Sequence, residues 1–145
     1  MEICKGTVNE IDAIVSLALS LWPENEESEL KEEFIQLLSN PKATIYLAQE
    51  SNQFFGFAQC QLRTDYVEGT ESSPVGYLEG IFVDEKYRGS GVANLLLKSC
   101  EQWAKEQGCQ EFASDVELHN SQSLNFHLKH GFTEANRIIC LTKKL

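Results

Sequence analysis

No stretch of this chain approaches the roughly 20 consecutive apolar residues of a membrane span. The opening segment, MEICKGTVNE, has no apolar run of the kind that marks a signal peptide. Basic residues are scarce, with 12 Lys and Arg against 22 Asp and Glu, a formal net charge of -10. A polyphosphate partner wants a basic face, so nucleic acid is an unfavourable ligand. The same balance suits a cationic ligand drawn into an acidic cleft, and it also serves solubility alone. The five cysteines, at 4, 60, 100, 109 and 140, include no Cys-x-x-Cys pair, and their odd number argues against a disulfide framework. A reducing cytoplasm is the expected compartment. Two phosphate motifs are missing as well: Gly-x-x-x-x-Gly-Lys-Ser/Thr, and Gly-x-Gly-x-x-Gly after the first strand. Their absence disfavours a nucleotide hydrolase and a nicotinamide dehydrogenase.

What is present suits one compact domain over residues 1–145, with 42% apolar residues to build a core. Met1 to Gly6 reads as a short strand. Asn9 to Trp22 reads as a helix, capped by Asn9 and stopped by Pro23, with Ile11, Ile14, Val15 and Ala18 at helical spacing. A second helix is expected from Glu26 to Leu38, broken by Asn40-Pro41. Ala43 to Gln49 and Phe54 to Arg63 form a hairpin about Ser51-Asn52-Gln53. Thr64 to Pro74 is a polar, acidic loop, and Val75 to Val83 is the next strand. A long helix opens at Gly89 to Gly91 and runs to about Gln107. Its inward stripe is Val92, Leu95, Leu96, Cys100, Trp103 and Ala104. Glu111 to Asp115 is a short strand, Ser121 to His130 a helix closed by Gly131, and Ile138 to Thr142 a final strand. The order predicts an α/β fold with a mixed, partly antiparallel sheet flanked by helices.

The most informative segment is Gly80-Ile81-Phe82-Val83-Asp84-Glu85-Lys86-Tyr87-Arg88-Gly89-Ser90-Gly91-Val92-Ala93. A strand ends, a polar turn follows, and a glycine-containing loop enters a helix. The first amides of a helix have no intrahelical partner, and the helix dipole adds partial positive charge there. Gly89 and Gly91 let the backbone approach a ligand closely. Arg88 adds a positive charge, and a pyrophosphate would fit. The plainer alternative is a strand-to-helix turn that binds nothing.

Arg88-Gly89-Ser90-Gly91-Val92-Ala93 resembles the Arg/Gln-x-x-Gly-x-Gly/Ala signature of the GCN5-related N-acetyltransferase superfamily. Asn120, and the helix Ser121 onward that closes in Gly131-Phe132, resemble the second half of its pattern. Within that superfamily the stretch Asp65 to Ile81, Ala113-Ser114-Asp115, Trp22-Pro23 and His127 look like the aminoglycoside 6′-N-acetyltransferases. The resemblance covers nearly the whole chain and implies an aminoglycoside acceptor, a resistance role and a homodimer. It also implies acetyl-CoA as co-substrate, bound by Ile81, Phe82, Val83, Arg88, Gly89, Ser90, Gly91, Val92, Ala93, Asn120 and His127.

For the acceptor the candidates are Trp22, Tyr66, Glu71, Glu79 and Asp115, with Glu79 and Asp115 also as catalytic acids. An amine with a pKa well above 7 is mostly ammonium and must lose a proton before it attacks. The resemblance gives that task to Glu79 or Asp115. Read without it, Glu79 is a strand acid on a solvated face and Asp115 a turn residue. Glu71 serves solubility, Trp22 packs at a helix end, and Asn120 caps the helix from Ser121. His127 stands where many superfamily members have tyrosine as general acid to the leaving thiolate, and no acid role is assigned to it. His127 and His130 lack further ligands nearby, so no metal site is expected. Direct transfer in a ternary complex is the expected mechanism, with backbone amides of the strand before the loop polarising the thioester carbonyl. Two rivals remain: the same transfer to a polyamine or protein amine, and a non-catalytic acyl-CoA-binding module.

Overall fold

The computed structural model describes residues 1–145. Its sheet has five strands: β1 (Glu2–Lys5), β2 (Ala43–Glu50), β3 (Gln53–Arg63), β4 (Val75–Val83) and β5 (Phe112–Ser114), in that spatial order. The first three junctions are antiparallel and β4 runs parallel to β5. The β2–β3 hairpin turns on Ser51 and Asn52, both at positive φ (50° and 62°), the conformation that a tight two-residue hairpin requires.

Helices α1 (Ile11–Leu21) and α2 (Glu27–Leu38) cover one face of the sheet. Ile14, Val15, Ala18, Leu30 and Phe34 pack there on Ile45, Leu47 and Phe57. Helix α3 (Val92–Glu106) covers the other face, with Leu96, Leu97, Cys100 and Trp103 against Ala58, Cys60 and Leu78. Leu97 is buried while Leu95 is 40% exposed, a correction to the expected stripe. One position along a helix turns the side chain by about 100°, and a wide apolar stripe leaves the choice of rim residue to the partner face. Helix α4 (Ser121–Lys129) follows β5, and Phe126 joins Phe132 on the α3 side of the core.

Two irregularities shape the functional end. In β3, Phe55 is an extra residue between the Ala48–Gly56 and Gln49–Phe54 pairs, and its ring stacks on Tyr87 at 3.8 Å. In β4, Glu79 is the extra residue: Gly80 pairs with Gln59 and Leu78 with Cys60. A bulge of this kind bends the strand and re-aims the side chain.

The expected final strand at Ile138 to Thr142 is not formed. Residues 133–145 join no ladder, and Ile138, Ile139 and Leu141 are exposed. Strand-forming side chains make a strand only when they pair, and this segment joins neither of the sheet's outer strands, β1 or β5. No helix is long and apolar enough to cross a membrane.

Candidate active site

Strand β4 pairs with β5 only at Gly76, Tyr77 and Leu78. Beyond Leu78 the strands part, while β4 continues to Val83 with β3 on its other side. The bulge at Glu79 lies where they separate. From there to Val83, the edge of β4 that faced β5 is open to an extended ligand, which could add to it as a strand does.

Strand β4 leads to the glycine loop through a short 3-10 turn, Glu85–Tyr87, capped by the Asp84 carboxylate. Arg88 Nε donates to the Val83 carbonyl at 2.8 Å, and its guanidinium lies 5.6 Å from the Phe82 ring centre. The Ser90 hydroxyl donates to the Tyr87 carbonyl at 2.6 Å. Gly89 and Gly91 stand at φ +83° and +84°, and an added Cβ at either would meet nothing within 4 Å. These positions are therefore glycine for backbone conformation and for open approach from outside, not for internal packing. Helix α3 has no side-chain cap at Gly91, whereas α4 has one from Asn120. The backbone amides from Gly89 to Asn94 have no hydrogen-bond partner in the protein. This row of unpaired donors at a helix N-terminus can receive a phosphate or pyrophosphate.

The candidate acceptor residues divide into two groups. Glu79 and Asp115 come together through residues that the sequence reading missed. Arg63, the last residue of β3, reaches Glu79 with two parallel bonds, Nε to Oε2 at 3.1 Å and Nη2 to Oε1 at 2.8 Å. Its guanidinium lies over the Tyr77 ring, 3.4 Å from the centroid. The Tyr77 hydroxyl donates to Asp115 Oδ2. Burial, and then the bond to Asp115, push the Tyr77 phenol well above its ordinary pKa, so it stays a donor across the neutral range. The bond to Glu79 likewise raises the Arg63 pKa. Strand alternation carried a signal for this cluster: Arg63, Tyr77 and, through the bulge, Glu79 share one sheet face.

Trp22 ends α1 edge-on to Phe57, with ring centroids 6.1 Å apart, and covers Gly80. A Cβ on Gly80 would come within 2.6 Å of the Trp22 ring, so glycine here is required by close packing. Trp22 thus forms a wall beside the Glu79 bulge. Tyr66 and Glu71 belong to the second group, in the loop from Thr64 to Pro74. Tyr66 is 79% exposed. The Glu71 amide and the Ser72 amide each donate to Glu111 Oε1 at 2.8 Å, and the Ser72 hydroxyl donates to it at 2.5 Å. Glu111, another residue the sequence reading missed, holds the loop down. Ser72 above all, and then the two amides, keep its carboxyl below the usual range.

His127 is buried at 6% exposure among Phe126 and Phe132. Its Nδ1 lies 2.7 Å from the Ser123 carbonyl, which can only accept, so Nδ1 carries a proton. In the neutral ring Nε2 then accepts from the Ser114 hydroxyl at 2.9 Å. The ring ties α4 to β5. Asn120 caps α4, accepting from the Ser123 amide at 3.0 Å. Cys60 and Cys100 are core residues between β3 and α3, and their mutual hydrogen bond and burial push the Cys60 thiol up, away from nucleophilic use. A separate cavity of about 360 Å³, lined in part by Lys5, Asn40, Thr44 and Trp103, opens near the C-terminal end of α3. A 15-residue helix spans about 22 Å, so this cavity is far from the amide cradle.

Residues 11–132 match the model of the acetyltransferase (GNAT) family. An aminoglycoside N(6')-acetyltransferase type 1 of Acinetobacter haemolyticus is 41% identical over 131 residues, 90% of each chain. One from Serratia marcescens is 38% identical over 138 residues, 94% of each. The structure of AAC(6')-Iy, described in complex with the bisubstrate analogue CoA-S-monomethyl-acetylneamine, superposes with a TM-score of 0.95 at 32% identity, covering 99% of this chain and 98% of that one.

Proposed function

The chain belongs to the acetyltransferase (GNAT) family, and we propose that it transfers the acetyl group of acetyl-CoA to the 6′-amine of aminoglycosides. The observation that carries this reading is the full-length likeness to aminoglycoside 6′-N-acetyltransferases. The amide cradle and the paired carboxylates beside the bulge provide the matching chemistry.

Acetyl-CoA supplies an acyl thioester. The unpaired amides of Gly89 to Asn94 and the Arg88 charge suit its pyrophosphate. The free edge of β4 at Ile81, Phe82 and Val83 suits its extended arm, and backbone N–H groups there can donate to the thioester carbonyl. Glu79 and Asp115 bind the acceptor's ammonium groups and accept the proton that the attacking amine loses. Trp22 and the exposed ring of Tyr66 offer apolar faces for sugar rings, and Glu71 adds charge at the rim. No residue is assigned as acid to the leaving thiolate, because a thiol of pKa about 8.5 leaves without one. We further propose a cytoplasmic homodimer joined through residues 137–145, whose Ile138, Ile139 and Leu141 stand exposed and unpaired.

A thiol-release assay over a panel of amines tests the reaction and its substrate class together. Aminoglycosides with a 6′-amine should outrun spermidine and lysine peptides. Faster turnover of a polyamine or peptide would make the chain an acetyltransferase of a different class. Thiol release from none of them would leave only an acyl-CoA-binding module.

A further inference from the structure

The acceptor carboxylate is already occupied by a cation of the protein's own. Both oxygens of Glu79 receive the Arg63 guanidinium, which also covers the face of Tyr77. Together with Asp115 on the Tyr77 hydroxyl, these groups form a site of two carboxylates and one aromatic face. That combination binds cations, because the carboxylates attract charge directly and the ring face attracts it through its quadrupole. The charges within the cluster are two negative and one positive, so Arg63 cancels half of the attraction that the acids would exert on an incoming ammonium. The two partners differ in freedom. Glu79 is 17% exposed and held by the bulge, whereas Arg63 is 39% exposed at the end of its strand. Arg63 leads into a loop whose Asp65, two residues on, is an exposed acid, while Glu68 already accepts from Asn136 and Tyr66. The side chain that can leave is therefore the cation, and its departure would bare Glu79 and the Tyr77 face together.

We infer that Arg63 is an internal competitor in the acceptor site, holding the place on Glu79 and over Tyr77 that a substrate ammonium takes. The inference rests on the acceptor assignment proposed above and adds a selectivity rule to it. A single ammonium replaces one guanidinium at little net gain. An acceptor with several ammonium groups engages Asp115 and the loop acids as well and displaces Arg63 readily. Arg63 thereby favours polycationic acceptors over simple amino sugars.

Neamine and the monoamine 6-amino-6-deoxyglucose are suitable probes. Arg63→Gln keeps much of the side chain's length and its hydrogen-bonding capacity but removes the charge. It should lower the KM for neamine about 5-fold and raise kcat/KM for the monoamine by more than it does for neamine. The dissociation constant of CoA should stay unchanged. Arg63→Lys keeps the charge, loses the two-pronged geometry, and should keep a KM near wild type. An unchanged or raised KM in Arg63→Gln would overturn the inference. So would equal losses in both variants, which would mark Arg63 as a residue that merely positions Glu79. Should the variants fail to fold, the wild-type protein still decides. With CoA bound, saturating neamine should shift the ¹⁵N-labelled Arg63 Nε–H resonance and speed its exchange with water, and an unmoved, protected resonance would contradict displacement. If the wild type ignores neamine but acetylates another amine, the acceptor assignment has failed separately, and the same comparison applies to that amine.

Discussion

Glu79 is the one residue of β4 left over in the pairing with β3; it lies where β4 and β5 part, and its carboxylate is held by Arg63. Glu79→Gln and Asp115→Asn keep the shape and most hydrogen bonds but remove the proton acceptor. Each should lower kcat/KM for neamine by about 10²-fold or more while leaving CoA affinity unchanged, measurable by steady-state kinetics and calorimetry. Tyr77→Phe keeps the ring under Arg63 and deletes the donor to Asp115. Glu111 acts at a distance by holding the acidic loop. Its carboxyl pKa is depressed on folding, so its hold is present above the unfolded carboxylate value and lost as pH falls through the folded one. The loop should stay clamped at neutral pH and loosen only in acid, below the usual carboxylate range. Glu111→Ala should loosen it at pH 7, seen as a severalfold rise in acceptor KM and faster amide exchange at Glu71 and Ser72, with the CoA dissociation constant unmoved.

The glycine loop and helix α3 were legible in the sequence because each signal there is local. Two glycines at positive φ, an uncapped helix start and a stripe at helical spacing need no distant partner to be read. Gly91→Val places a β-branched residue at φ +84°, a left-handed conformation costing about 1–2 kcal/mol, and puts a side chain over the amide cradle. The CoA dissociation constant should rise at least 10-fold in a variant that still folds, as circular dichroism would verify. The Arg63–Glu79 pair and the Glu111 clamp were harder to see, since they join residues 16 and 40 positions apart or nearly so. Their meeting depends on strand register and on a bulge, neither of which composition reveals. Trp22 was legible as a helix-end residue, but its contact with Gly80 was not, because the glycine's requirement comes from another element. The final strand failed for a third reason. Ile138 to Thr142 has strand-forming side chains, but a strand exists only where it pairs, and residue type does not say whether the segment will join β1 or β5.

For the molecule as a whole, the proposed second copy rests on those exposed residues in the last segment. Light scattering should give twice the 16.4 kDa chain mass at micromolar concentration, and Ile139→Asp should shift the species toward monomer. A monomer across that range would remove the proposed dimer without touching the chemistry. The net charge of -10 should make acceptor binding salt-dependent, with KM for neamine rising between low and physiological ionic strength. Cradle, open strand edge and the two acids suit acetyl transfer to an amine, and the likeness to aminoglycoside 6′-N-acetyltransferases points to the 6′ position. The position of the acetyl group in the product tests that claim most directly. Incubation with acetyl-CoA and neamine, followed by two-dimensional NMR of the product, should show a single new amide on the 6′-nitrogen, and the 6′-hydroxyl counterpart should bind without reacting. Acetylation at a ring amine, or equal turnover of the hydroxyl compound, would contradict the account.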